Sequence, residues 1–216
     1  MKKLFSEDSG IRLALASLAD DMLYSILTLI CSLPVITAGT AVTALFDLIM
    51  RSETHREIGV RVFFQRFVYH FRRTTLSWIA LAAADTLFIF AFRLTARSGS
   101  SLRTLMFGSL FFLFWILLLL HIYLPPVFTA ERNRTVLAYW KESVFTGIAL
   151  LPRSVLIFIV ILVPVMLYIS VPELFWSISF IWLFFWPAVL ARIVFRLIRS
   201  FFPEFSDLPP ADQEDQ

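Results

Sequence analysis

Four stretches of this chain contain no Asp, Glu, Lys or Arg over lengths that match a lipid bilayer. They are Met22 to Phe46 (25 residues), Thr104 to Ala130 (27), Ser154 to Pro172 (19) and Leu174 to Ala191 (18). A fifth, Thr74 to Phe92, is equally apolar but holds Asp85. A helix rises 1.5 Å per residue, so about 20 apolar residues cross a hydrocarbon core of about 30 Å. Of the 216 residues 59% are hydrophobic and 16% charged, against the roughly 25% charged of a soluble domain. These runs predict an all-α fold: a polytopic membrane helical bundle with about five transmembrane helices and two cytoplasmic amphipathic helices. The spans are placed near 19–46, 74–93, 104–127, 154–172 and 174–195, within one membrane domain over 1–202. Residues 203–216 are acidic and proline-containing, and are expected to form a flexible cytoplasmic tail.

The charged residues lie between the apolar runs. Six arginines fall between Arg51 and Arg73, four basic residues between Glu131 and Arg153, and three from Arg192 to Arg199. By the positive-inside rule these segments and the C-terminus face the cytoplasm. Bordering spans as they do, they give no reason to expect a nucleic-acid partner. Five spans would put Lys2, Lys3 and Arg12 on the opposite side, against the rule. Pro34 and Gly39 offer two ways to read the first apolar segment: one long kinked span, which the reading favours because lipid penalises an unpaired backbone, or a re-entrant pair of half-helices. No removable signal sequence is expected.

Segments near 57–72 and 133–149 are too short and too charged to span. Their apolar residues recur at helical spacing, which predicts two interfacial helices. Each precedes a pair of closely linked spans, so the pattern reads as two parallel repeats. Phe63 and Phe67 on the first helix, and Trp140 and Val144 on the second, are candidate docking residues for a partner helix; lipid anchoring is the simpler use of the same faces.

The candidate intramembrane polar site is Asp85 with Thr37, Thr40 and Asp47. Asp85 either contacts a substrate or proton, or clasps two helices beside Ala82 to Ala84; the clasp is favoured because small residues permit close packing. Thr37, Thr40, Thr43 and Asp47 form one polar stripe that lines a cavity or packs on another helix. Asp47 precedes Arg51 by four residues and is expected to pair with it at the membrane edge. His121 is read as an interfacial or hydrogen-bonded histidine. The single cysteine, Cys31, cannot build an internal disulfide or a multi-cysteine metal site. Phosphate-binding, zinc-protease and nucleophile-elbow motifs do not occur, so neither cofactor, metal nor enzymatic activity is expected.

Several segments resemble the YesL family of bacterial membrane proteins, also called domain of unknown function 624. They are Leu4-Phe5-Ser6-Glu7-Asp8-Ser9, Leu33-Pro34-Val35-Ile36-Thr37-Ala38-Gly39 with Ala44-Leu45-Phe46, and Phe63-Phe64 and Phe67 ahead of Arg72-Arg73-Thr74-Thr75-Leu76 and Trp78. The likeness covers residues 4 to about 85 by motif and the remainder by hydropathy. Phe46 stands where the family often has tyrosine, and His70 lies near its usual asparagine. The resemblance implies a multi-pass protein of the bacterial plasma membrane, often encoded near carbohydrate-uptake genes. It carries over no catalytic residue. The expected function is a non-enzymatic accessory or regulatory component of a carbohydrate transport system. Its expected partners are the lipid bilayer and a sugar ABC-transporter subunit. The alternative is a small transporter or channel acting on its own.

Overall fold

The computed structural model describes residues 10–54, 59–97, 99, 102–130 and 135–201. All regular structure among them is helical: α1 (Gly10–Ser32), a 3-10 turn (Val35–Thr37), α2 (Ala38–Thr54), α3 (Val60–Arg97), α4 (Arg103–Ala130), α5 (Val136–Ala149), α6 (Leu151–Ser170), α7 (Pro172–Ser177) and α8 (Ser179–Ile198). The tail over 203–216, and the first residues of the amphipathic segment near 57–72, lie outside the described residues.

Six helices are long and apolar enough to cross a membrane: α1, α2, α3, α4, α6 and α8. Their outward faces carry large apolar side chains, among them Leu87, Phe90, Phe112 and Ile169, each at least 60% exposed. Such a surface would be unstable in water and suits lipid. The molecule is a multi-pass helical membrane bundle.

The segment near 19–46 is not one kinked span. Pro34 adopts an extended conformation, and a proline disfavours the helical region for the residue before it, so α1 stops at Ser32. The Thr37 hydroxyl serves the exposed carbonyls of this end, lying 2.6 Å from Cys31 O and 2.8 Å from Pro34 O. The chain then turns back. Asp21 of α1 pairs with Arg192 of α8, while Phe46 of α2 packs edge-on against Phe195, one turn along the same helix. On a continuous helix Asp21 and Phe46 would stand roughly 37 Å apart. α1 and α2 are therefore antiparallel, and both outer ends lie at the same end of the bundle. The carbonyls exposed at this turn are met locally, by Thr37 and by Trp78 Nε1, which donates to Val35 O at 3.0 Å.

α2 is the central element, with 67% of its candidate span buried against 11–28% for the other five. It runs antiparallel to α3 and also touches α1, α4 and α8. Gly39 is required at its start: a Cβ there would lie 2.7 Å from the Trp78 ring.

α3 is unbroken for 38 residues, about 57 Å, so the amphipathic segment near 57–72 and the span near 74–93 form one helix. Proline is absent from its sequence, and nothing else interrupts it. The second amphipathic segment is a separate helix, α5, because the chain breaks helical geometry at Leu150, two residues before Pro152. The two units of the proposed repeat thus differ in where the backbone breaks. Likewise the span near 174–195 divides at Ile178 into α7 and α8.

Candidate functional site

Two members of the polar stripe, Thr40 and Asp47, bond to α3, and the other two are engaged locally. Thr40 Oγ1 lies 2.7 Å from Thr74 Oγ1 and 3.0 Å from Thr75 Oγ1. Thr43 donates to Gly39 O at 2.8 Å. Thr37, as above, closes the end of α1. One helical turn beyond Thr43, Asp47 is 3% exposed and gathers nitrogen partners: Arg51 Nε at 2.8 Å, His70 Nε2 at 2.9 Å and Arg66 Nε at 3.9 Å. The spacing of four between Asp47 and Arg51 gives the expected pair, but it is buried and not solvated at a membrane edge. The reason is α3: Arg66 brings a second positive charge to the same carboxylate and His70, one turn along, a ring nitrogen. A buried carboxylate is stable only when paired and hydrogen-bonded, and this one is.

Asp85 does not join that group. It stands across the α3–α4 contact from His121, with Oδ2 3.2 Å from Nε2. The His121 ring also packs edge-on against Trp78, and its Nδ1 lies 2.9 Å from Leu117 O. His121 is a hydrogen-bonded histidine, as its position in the sequence suggests, but local spacing carries no mark of Asp85 as its partner. Beside the pair, a cavity of about 220 Å³ opens between α2, α3 and α4; Gly39, Thr43, Thr74, Trp78, His121 and Pro125 line it.

The candidate docking residues divide by burial. Phe63 is fully covered by its own chain, in a cluster with Tyr24, Leu45, Leu48 and Ala188. Phe67 is half-buried against the same cluster. Both therefore pack inward on α1, α2 and α8. Trp140 is also turned inward, its Nε1 donating to Ser77 Oγ at 2.6 Å and so tying α5 to α3. Val144 packs against the core and lines an apolar groove of about 540 Å³ between α4, α5 and α6. The free apolar faces lie elsewhere: Leu137, Phe145 and Ile148 on α5, and Phe64 and Val68 on α3. Helical spacing identified the apolar positions, but each segment has apolar residues on more than one side, and only the neighbouring helices select the buried ones.

Two further polar ties escaped the sequence reading. Asp21 and Arg192 join α1 to α8, and Tyr123 OH lies 2.8 Å from Ser154 Oγ, joining α4 to α6. Their partners are far apart in the chain, and local spacing carries no trace of them. Among the described residues no group of three His, Cys, Asp or Glu side chains comes together to hold a metal ion.

These features define a class: a multi-pass helical membrane protein whose buried ionic and hydroxyl groups tie its helices to one another. No protein-family model matches the sequence, and neither the curated proteins nor the solved structures compared with it give a match.

Proposed function

We propose that this chain is a non-enzymatic accessory or regulatory component of a transport system in the bacterial plasma membrane, with carbohydrate as the cargo of that system. One observation supports the accessory role above the rest. In the polar stripe of Thr37, Thr40, Thr43 and Asp47, the natural candidate for lining a passage, Thr40 and Asp47 bond to α3 while Thr37 and Thr43 donate to carbonyls of their own segment, so each side chain is engaged within the chain. The carbohydrate part rests on the resemblance of residues 4 to about 85 to the YesL family. In the proposed orientation, the basic segments and the C-terminus are cytoplasmic. The return of α2 alongside α1 supports this, since it lets Arg12 enter from the same side as Arg51 and removes the charge conflict of a five-span reading.

The second reading, a small transporter acting alone, is favoured by one feature: the Asp85–His121 pair beside a cavity. Purification from native membranes under mild detergent separates the two. An accessory component brings a permease or ATPase subunit with it and gives no sugar uptake in protein-only liposomes. Uptake by the purified chain in liposomes, with no co-purifying subunit, would reverse the assignment.

A further inference from the structure

The Leu117 carbonyl is purely an acceptor, so His121 Nδ1 at 2.9 Å must carry a hydrogen and donate it. The neutral ring then has only a lone pair left on Nε2, and that atom stands 3.2 Å from the Asp85 carboxyl. With neither group protonated there, a lone pair would face a carboxylate. The contact is attractive only when one proton lies between Nε2 and Oδ2. That proton makes either an imidazolium facing a carboxylate or a carboxyl group donating to a neutral ring. Both arrangements have zero net charge, which a site within a membrane span, where each side chain is 35% exposed, favours over a single uncompensated ion.

We propose that Asp85 and His121 form a proton-binding site inside the membrane domain, whose proton closes the α3–α4 contact and whose release opens it. On release the proton passes from the pair to water, leaving a neutral imidazole opposite a carboxylate. The adjoining cavity of about 220 Å³, largely apolar but lined by His121, has room for a water to reach the pair. Its wall offers acceptors for that water. The Thr43 hydroxyl already donates to Gly39 O, so its lone pairs remain. Pro125 has no N–H, so the His121 carbonyl receives no bond from that position in the helix.

Other ionisable groups on the helices packed against α3 and α4 are placed otherwise. On α2, Asp47 and Arg51 are held with Arg66 and His70. On α1, Asp21 is held by Arg192 of α8. On α6, Arg153 donates to Leu197 O and Ser200 Oγ. On α5, Lys141 and Glu142 belong to the helix that reaches α3 through Trp140 and Ser77, and the cavity wall contains no ionisable side chain but His121. The site is independent of whether the protein acts as an accessory or alone.

The test uses the full chain in lipid nanodiscs, labelled with nitrogen-15 at its three histidines. Spectra are recorded over a pH series, with His121→Gln to identify the His121 signals, and thermal unfolding is followed in parallel. The expected result has two parts. Nδ1 stays protonated throughout, while Nε2 loses its proton in one step as pH rises. The melting temperature falls over that same step, because the proton that closes the α3–α4 contact has left it. In Asp85→Asn the amide donates to Nε2 without any proton, so the step in melting temperature disappears and the ring stays neutral across the series. His121→Gln supplies the same comparison from the other side, its amide donating to the carboxylate, and serves if Asp85→Asn does not fold. An Nε2 that is unprotonated at every pH, or a melting step that persists in the substituted proteins, overturns the proposal.

Discussion

Asp47 Oδ2 and His70 Nε2 lie 2.9 Å apart inside the contact between α2 and α3, and the same carboxylate also holds Arg51 at 2.8 Å. One acidic side chain thus fixes the register of the two most extensively paired helices. Removing it leaves buried cations without their shared counter-charge. Asp47→Leu is expected to cost about 3–5 kcal/mol, the range for breaking a buried pair from one side. Unfolding in detergent measures it; a loss below about 1 kcal/mol would place the carboxylate in water after all.

Gly39 and Trp78 make a second, sharper fit. The Cβ of Gly39→Ala would meet the ring at 2.7 Å, and the atom it meets is the first ring carbon and not a flexible tip. Over-packing of this kind costs about 1–3 kcal/mol. Trp78→Leu alone also destabilises, since Val35 O loses its donor. The double variant should be more stable than the sum of the two losses, which a double-mutant cycle reads directly. Strict additivity would mean that the turn does not rest on Trp78.

The antiparallel α1–α2 pair and its seat on α8 can be tested covalently. The Ala188 N–H donates to Ser25 Oγ at 3.2 Å, so the backbones are close enough for a disulfide. With Cys31→Ser removing the native thiol, Ser25→Cys combined with Ala188→Cys should cross-link under mild oxidation. Moving the second cysteine to Leu183 should abolish it. Cross-linking of equal yield at both positions would argue against a fixed α1–α8 contact.

Orientation is open to labelling. With the basic segments inside, a cysteine replacing Lys141 is protected from a membrane-impermeant reagent in intact cells, and one replacing Gly99 reacts. Tags at the two chain ends should behave alike, because α1 and α2 form a return. Reaction at position 141 from outside would invert the proposed topology.

Charges placed on α3 and α5 should separate folding from docking. Phe63→Glu enters the cluster with Tyr24, Leu45 and Ala188 and should prevent stable folding. Phe145→Glu and Leu137→Glu lie on exposed faces and should fold normally. If α5 presents the surface for a transporter subunit, only these latter variants lose the co-purifying protein while reaching the membrane in normal amount. Unchanged partners in both would leave lipid contact as the use of that face.

The apolar runs by themselves determined that this chain is a helical membrane bundle, because a stretch long enough to cross a bilayer without charge has few other stable states. The pairing of Asp47 with Arg51 was legible because both partners lie one helical turn apart. What only the tertiary structure decided is everything that depends on two distant segments meeting. Pro34 allowed a kink or a return, and the choice follows from Trp78 holding Val35 and from α8 receiving α1 and α2 together. Phe63 and Trp140 read as free apolar faces until α2 covered one and Ser77 bonded the other. Asp85 acquired its partner from α4, 36 positions along the chain. Local spacing records which residues share a helix face, but the free energy that buries one face rather than another comes from the neighbouring helix, and that neighbour is chosen by packing over the whole molecule.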